Sequence, residues 1–196
     1  MTLQGTDTLE LFRQTGAYLT GHFRLTSGLH SSAYLQCALV LQFPVHAELL
    51  GRQLADALRA LIPEPPAVVA SPALGGLIIG HEVAREFGAR FLFTERDVNG
   101  NMTLRRGFQV TPGESVVVIE DVVTTGGSTA DVVNVMRAEG ANVLAAGSIV
   151  DRSGGRADVG VPRVALATLQ VESWDPAVCP LCAQGLPVVK PGSRPT

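Results

Sequence analysis

The chain has 196 residues, of which 46% are hydrophobic and 17% are charged, so it has room for one α/β domain, and long disorder is excluded. The formal net charge of −3 argues against a general nucleic-acid surface, and we expect no nucleic-acid partner. No run of about 18 apolar residues is present and no secretory pattern opens the chain, so we expect no membrane partner and a cytoplasmic location. The three cysteines are too few for a disulfide framework and fit a reducing compartment.

The first part of the chain predicts one helix, a run of extended pieces and a second helix. Residues 7–19 have apolar positions at helical spacing, a polar cap at their start and Gly21 as the breaker. Residues 23–41 contain two serine-rich turns and predict short extended segments. Residues 45–62 predict an amphipathic helix that ends at a cluster of prolines.

Beyond residue 66, predicted strands and helices alternate. The strands lie at residues 67–70, 90–93, 115–119, 143–150 and 164–169, and the helices lie at residues 77–87 and 129–139. Residues 97–106 are polar and show no buried periodicity, and the tail from Pro176 is rich in proline and glycine and is expected to wrap the surface. This alternation predicts an α/β domain with a mainly parallel sheet and helices on both faces.

The strongest chemical signal is the run VVVIEDVVTTGGST at residues 116–129. Four apolar residues end in two adjacent carboxylates, Glu120 and Asp121, and a loop of hydroxyls and glycines then leads into a helix. Backbone N–H groups at a helix start attract anions, and Gly126 and Gly127 permit close backbone approach. Carboxylates at the end of a strand can accept hydrogen bonds from sugar hydroxyls or hold Mg²⁺. The run therefore suits a sugar phosphate, and it is neither a P-loop nor a dinucleotide fingerprint.

The same run resembles the phosphoribosyl-pyrophosphate (PRPP) motif of type I phosphoribosyltransferases. Further segments narrow the resemblance to the orotate phosphoribosyltransferase family: residues 21–28, 31–36 and 71–76, the pair Asp151-Arg152, and the tail motifs between residues 179 and 193. The resemblance covers nearly the whole chain.

This resemblance implies both a fold and a reaction. The fold is the type I phosphoribosyltransferase fold, a mainly parallel twisted sheet flanked by helices with a small N-terminal substrate-side hood. We expect one domain, with the first helix and hood at residues 1–45, an α/β core at 46–170 and a Pro/Gly-rich tail at 171–196. The reaction transfers the phosphoribosyl group of PRPP to orotate, giving orotidine 5′-monophosphate and pyrophosphate in pyrimidine biosynthesis, with Mg²⁺ and an oxocarbenium-like transition state.

On the PRPP side, the resemblance implies that Glu120 and Asp121 hold the ribose hydroxyls, with Asp121 also catalytic. Leu74 and Gly75 fall in the loop that meets pyrophosphate. Mg²⁺ is expected to be held mainly through PRPP, with the two carboxylates reaching it through water. The remaining PRPP-binding residues of the motif are Val122, Val123, Thr124, Thr125, Gly126, Gly127, Ser128 and Thr129.

On the base side, Tyr34 and Leu35 fall where the family contacts the orotate ring, and Thr124 is expected near the same ring. Arg152 is expected to face the orotate, because the guanidinium fork suits a carboxylate.

Residues 94–108 are the candidate mobile loop that closes over the site and excludes water. Arg96 is expected to be catalytic, stabilising charge on the leaving pyrophosphate, and Arg105 and Arg106 are further cations in the same loop. In this family the loop commonly reaches a neighbouring subunit's site, so the resemblance implies a homodimer.

The chain departs from the better-known members of the family in its basic residues. Those members carry lysines in the mobile loop, after an N-terminal leucine and in the pyrophosphate loop, where this chain has arginines, Thr26 and Gly75. The loop also lacks their histidine. Arginine does not readily give up a proton, so we expect charge stabilisation from this loop rather than general-acid catalysis.

Two other functions stay open at this stage. A phosphoribosyltransferase for a purine or another pyrimidine would keep the fold, but Arg152 and residues 31–36 suit a carboxylated base. A PRPP-sensing regulator that binds nucleic acid would also keep the fold. The net charge and the lack of a basic stripe count against that second possibility.

The pair Cys179-x-x-Cys182 leaves a structural role and a metal or disulfide role open. A structural zinc site needs four ligands, and no histidine lies near the pair in sequence. His22 and His30 are expected to be structural, with a substrate-side role as the alternative.

Overall fold

The protein, described by a computed structural model at residues 7–25, 28–169 and 172–191, contains two sheets. The strands are β1 (Tyr18–Arg24), β2 (His30–Leu35), β3 (Val68–Pro72), β4 (Arg90–Arg96), β5 (Met102–Leu104), β6 (Ser115–Val123), β7 (Asn142–Asp151), β8 (Arg163–Thr168) and β9 (Ser173–Trp174). The helices are α1 (Thr8–Gln14), α2 (Cys37–Leu41), α3 (Pro44–Arg59), α4 (Gly76–Phe87), α5 (Gly127–Ala138) and α6 (Pro180–Ala183), with a 3₁₀ turn at Pro176–Val178.

The larger sheet has the strand order β5-β4-β3-β6-β7-β8. Its strands pair in parallel from β4 to β8, and only the short β5 runs antiparallel, beside β4. The prediction of a mainly parallel sheet is therefore confirmed. Because parallel strands end at one edge, the loops after β3, β6 and β7 lie together there.

Helices cover both faces of this sheet, as alternating strands and helices predict. The central strand β6 shows why its run is apolar on both sides: Val117 and Ile119 belong to the core under α3 and α4, whereas Val116 and Val118 belong to the core under α5. Side chains alternate between the faces of a strand, so a strand covered twice needs no polar positions. Each fully buried side chain of this size contributes about 1.5–3 kcal/mol to folding.

The smaller sheet is antiparallel and joins the two ends of the chain. Its order is β1-β2-β9, so the N-terminal hairpin pairs with a strand that follows the α/β core. Phe23 of β1 also forms a bridge to Val189, close to the end of the described chain. The expected hood is therefore a sheet built from both termini. Thr26, which the sequence analysis named, and residues 192–193 at the end of the tail motifs lie outside the described residues.

Three predicted segments differ from the structure. The helix predicted at 7–19 ends at Gln14, because Gly16 takes a left-handed conformation (φ 67°) and β1 begins at Tyr18. Only short extended segments were predicted within 23–41, but residues 37–41 form the helix α2. In the polar stretch 97–106, the Asp97 carboxylate accepts hydrogen bonds from backbone N–H groups in the turn, and β5 returns against β4.

In the described part of the chain, no helix is both long and apolar enough to cross a membrane.

Candidate active site

An open cavity of about 810 Å³ lies at the carboxyl ends of β6 and β7, beside the hairpin of β1 and β2. This is the edge at which open α/β sheets bind ligands. Its wall brings together predicted residues from three separate parts of the sequence. They are Tyr34, Leu35, Asp121, Val122, Thr124, Thr125, Ser128 and Arg152.

The loop after β6 turns sharply into α5. Gly126 has φ 87°, and an added Cβ there would lie 3.0 Å from Val159 Cγ1 and 3.2 Å from the Ala157 Cβ, so conformation and space both demand glycine. The exposed Thr124 and Thr125 and the start of α5 then border the cavity. Hydroxyls, free N–H groups and the positive end of a helix together form an anion site.

The paired carboxylates differ in their surroundings. The strand was predicted at 115–119 with the two carboxylates at its C-terminal end, but β6 continues to Val123, so both carboxylates lie within the strand. Glu120 is only 7% exposed, and its burial, reinforced by the neighbouring Asp121, raises the pKa of Glu120 well above its ordinary value of 4.5. Asp121 is half-buried and lines the cavity. Asp121 is therefore better placed than Glu120 to meet a ligand directly.

The loop after β3 packs against Asp121. A Cβ added to Gly75 would lie 2.7 Å from both carboxylate oxygens of Asp121, so any side chain at this position would displace that carboxylate. Leu74 is 81% exposed beside it. The loop after β3 and the strand β6, both predicted to bind PRPP, therefore contact each other at Gly75, where a side chain would collide with the Asp121 carboxylate.

On the base side, the hairpin holds Arg152. The Arg152 guanidinium donates from Nη2 to Ser31 Oγ at 3.2 Å and to the Ala33 carbonyl at 3.4 Å. Its Nε is buried and has no hydrogen-bond partner among the described residues. Burial lowers the pKa of Arg152, although a guanidinium stays protonated. Burial, followed by the charge of Asp121, raises the pKa of Tyr34, which keeps this phenol a neutral donor.

Asp151, which the sequence analysis used only as part of an Asp-Arg pair that resembles the family's, is a positioning residue. Its carboxylate accepts hydrogen bonds from the backbone N–H and hydroxyl of Ser153, at 2.7 and 2.6 Å, and pairs with Arg163 at 2.8 Å. Burial opposes the charged form, but these hydrogen bonds outweigh it and hold the pKa of Asp151 below its ordinary value. The loop that carries Arg152 is thereby fixed. Arg156, a second cation in the cavity wall, was also missed.

The predicted cations of the candidate mobile loop are held by ion pairs or exposed. Arg96 pairs with Asp131 of α5 at 3.0 Å, and its Nη2 lies 3.5 Å from the Oγ of Ser128, which lines the cavity. Arg106 forms two hydrogen bonds to Glu95, at 2.7 and 2.8 Å, and Arg105 is exposed. Arg96 at the end of β4 therefore lies next to the cavity, whereas Arg105 and Arg106 follow β5 on the surface.

Two motif residues are also more enclosed than their predicted roles suggested. Val123 is 4% exposed and Thr129 is 1% exposed, so both side chains pack inside the fold. A role for either in binding PRPP would rest on its backbone.

Comparison with known proteins agrees with this geometry. A family model for the phosphoribosyl transferase domain matches residues 45–180. The orotate phosphoribosyltransferase of Pelotomaculum thermopropionicum is 55% identical over 184 residues, which cover 94% of this chain and 95% of that protein. The orotate phosphoribosyltransferase of Desulforamulus reducens is 52% identical over 186 residues, or 95% of each chain. A crystal structure of orotate phosphoribosyltransferase from Aeropyrum pernix matches with a TM-score of 0.65 at 28% identity, covering 82% of this chain and 93% of that one. The chain therefore belongs to the orotate phosphoribosyltransferase family.

Proposed function

We propose that the cavity between the hairpin and the carboxyl edge of the sheet is where this phosphoribosyltransferase joins orotate to PRPP. The observation that carries the assignment is the juxtaposition of two unlike anion sites in one cavity. Thr124 and Thr125 lead into the start of α5 on one side, and the half-buried Arg152 lies on the other. Orotidine 5′-monophosphate, the product, carries a phosphate at one end and a carboxylate at the other.

On the base side, the Arg152 guanidinium holds the orotate carboxylate, and Tyr34 and Leu35 contact the ring. A buried donor without a partner costs about 1–3 kcal/mol, and a carboxylate bound to the guanidinium would supply that partner. Thr124 lies between the two anion sites in the proposed complex, close to both the phosphate and the base. Adenine and uracil have no carboxylate that the Arg152 guanidinium could bind.

On the PRPP side, the 5′-phosphate binds the loop from Thr124 to Thr129, largely through backbone N–H groups. Asp121 accepts hydrogen bonds from the ribose hydroxyls, and the buried Glu120 next to it holds Asp121 in position. The pyrophosphate meets the loop at Leu74 and Gly75.

The residues present fit a magnesium ion, because the carboxylate of Asp121 is open to the cavity and Mg²⁺ prefers carboxylate and phosphate oxygens. We propose that the ion is held mainly through PRPP, with Asp121 and Glu120 reaching it through water. When bound, it neutralises charge on the leaving pyrophosphate.

The reaction breaks the bond between the anomeric carbon and pyrophosphate through an oxocarbenium-like state. Negative charge then grows on the pyrophosphate, and Arg96 is proposed to stabilise it. In the free protein Arg96 pairs with Asp131, but both side chains are more than 40% exposed, at 47% and 43%. A pair this exposed contributes only about 0–1 kcal/mol, so an arriving pyrophosphate can draw Arg96 away from it. Arg105 remains a second proposed cation on the same hairpin.

We further propose that residues 1–196 act as one domain within a cytoplasmic homodimer. Exposed apolar side chains at the start of α3 and on α4, namely Phe43, Val45 and Ile78, are consistent with a covered surface in the dimer. Light scattering coupled to size exclusion tests this directly, because a monomeric mass at assay concentration would refute it.

The proposed reaction is tested by the loss of orotate absorbance on mixing protein, PRPP, Mg²⁺ and orotate. Adenine, hypoxanthine and uracil are run in parallel, with the products separated by chromatography. We expect magnesium-dependent consumption of orotate alone. Turnover of another base instead of orotate would refute the assignment of Arg152 to the base-binding site. No turnover by folded protein would favour a PRPP sensor, which strong retention on heparin at low salt would support.

A further inference from the structure

A second cluster of polar side chains lies outside the cavity, where the hairpin meets the tail. His22 of β1 and His30 of β2 meet Cys179 and Cys182, which flank and enter α6. One nitrogen or sulfur atom from each residue lies within 4.8 Å of the other three. The two histidines and Cys179 are buried, and Cys182 reaches the surface.

Hydrogen bonds alone do not satisfy this cluster. The Nδ1 of His22 lies 2.8 Å from the Leu186 carbonyl, so it carries the ring proton and leaves Nε2 with a single lone pair. Three groups converge on that one acceptor: His30 Nδ1 at 2.8 Å, Cys179 Sγ at 3.5 Å and Cys182 Sγ at 3.7 Å. Only one of them can donate to it at a time. A metal ion at the centre would bind one lone pair from each of the four donor atoms at the same time.

We propose that His22, His30, Cys179 and Cys182 bind one structural Zn²⁺ ion. With Zn–N near 2.0–2.1 Å and Zn–S near 2.3 Å, a tetrahedral site separates N from N by about 3.3 Å and N from S by about 3.6 Å. The N to S distances here are 3.3, 3.5 and 3.7 Å. The two nitrogens, at 2.8 Å, would need to move apart by about half an ångström on that geometry. All four donor atoms lie within 4.8 Å of one another.

The chemistry of the donor set selects zinc. Two thiolates and two imidazoles in a tetrahedron suit Zn²⁺ over Mg²⁺ or Ca²⁺, which take oxygen ligands. The alternative for the same residue types is a two-iron cluster, in which the histidines bind one iron and the cysteines bind the other. The direct contact of Cys182 Sγ with His30 Nδ1 at 3.3 Å leaves room for a single ion.

The surroundings resemble those of a structural metal site. Leu186 accepts a hydrogen bond from the far nitrogen of His22, which fixes the ring orientation as metal-bound histidines usually require. The strand β1 has an irregular register between Thr20 and Phe23, at the point where His22 projects toward the tail. Such irregularities commonly re-aim a side chain.

The tail is attached to β1 by backbone hydrogen bonds at Val189, but it buries few side chains. Within the described residues 175–191, Cys179 alone is buried, and α6 has four residues. Segments with so small a core usually depend on a metal or a disulfide. A zinc ion would fasten this tail to the hairpin that carries Ser31 and Tyr34, and so would steady the base side of the cavity.

The test is metal analysis of protein produced without a histidine tag and purified without chelator. We expect about one zinc ion per chain, in keeping with four-ligand structural sites. Replacing zinc with Co²⁺ should give the strong visible and thiolate-to-cobalt bands of a tetrahedral sulfur-ligated ion. Protein that has no zinc, and shows no such bands after exposure to Co²⁺, would overturn the proposal.

Matched variants assign the ligands. Cys182→Ser and His30→Gln should lose zinc and melt at a lower temperature, whereas the control His81→Gln, on the exposed face of α4, should retain both. Full zinc content in either ligand variant would refute the assignment. If these variants do not fold, the metal content and cobalt spectrum of the unaltered protein still decide the matter.

A thiol count separates zinc from a disulfide. Protein unfolded with chelator and without reductant should show three free thiols, the number of cysteines in the chain, if zinc was bound. One free thiol would mean that Cys179 and Cys182 were paired in a disulfide, and would overturn the proposal. Because metal and thiols are counted without substrate, the result does not depend on the proposed reaction.

Discussion

Replacing Arg152 by alanine should specifically weaken the use of orotate. The change removes a cation that the hairpin holds directly through Ser31 and Ala33, but the hairpin keeps its own hydrogen bonds. Ser31 Oγ keeps its contacts with the carbonyls of Ala33 at 3.0 Å and Glu172 at 3.2 Å. The variant should therefore fold with the hairpin in place, so that any kinetic effect reports on the guanidinium.

The magnitude follows from the bond that is lost. A hydrogen bond to a charged group contributes about 1.5–3 kcal/mol, and each 1.4 kcal/mol is tenfold, so kcat/KM for orotate should fall roughly 10- to 150-fold. Arg152→Lys keeps the charge without the fork and should lose less. The assay is initial-rate loss of orotate absorbance with each substrate varied in turn, and Arg85→Ala, at an exposed arginine of α4, is the surface control.

The expected pattern is a higher KM for orotate, with KM for PRPP unchanged. Unchanged orotate kinetics in Arg152→Ala, or an equal rise in both KM values, would refute the placement of the carboxylate at this residue.

Three further changes test the PRPP side. Gly75→Ala places a Cβ against the Asp121 carboxylate and should raise KM for PRPP more than KM for orotate; equal changes in steady-state assays would contradict this. Gly126→Ala forces a left-handed alanine at a cost of about 1–2 kcal/mol, which equals a fall of roughly 2–8 °C in calorimetry, and an unchanged melting temperature would be inconsistent with the loop. Glu120 has its pKa raised by burial, so its contribution to stability is present below pH 4.5 and is lost as pH rises through the folded-state pKa. Glu120→Gln should therefore melt higher than the unaltered protein at pH 8, and the difference should vanish near pH 4. A Glu120→Gln variant that melts lower than the unaltered protein at pH 8 would refute the unfavourable burial of the charged Glu120 carboxylate.

The sequence predicted the parts of the fold that depend on local pattern. The strand before Glu120 and Asp121, the glycine turn and the following helix are all encoded within one short run, and the structure has each of them. The predicted end of this strand was wrong, because β6 continues through both carboxylates to Val123. A strand's end depends on its neighbour, and here β7 pairs with β6 up to Val123.

Features that depend on distant parts of the chain were not predicted. No local signal places Asp121 against Gly75, or Arg152 against Ser31, since these contacts follow from the order of strands in the sheet and the return of the tail. The same holds for Cys179 and His22, which lie far apart in sequence yet meet at the tail. The pairing of Arg96 with Asp131 was not predicted either, because it depends on the hairpin of β4 and β5, which the polar sequence of residues 97–106 did not suggest.

A crystal structure of the protein with orotidine 5′-monophosphate would test the central assignment most directly. We predict the carboxylate of the product at the Arg152 guanidinium, the phosphate at the loop from Thr124 to Thr129, and the ribose hydroxyls at Asp121. A product bound elsewhere, or bound in this cavity with its carboxylate turned away from Arg152, would contradict the account.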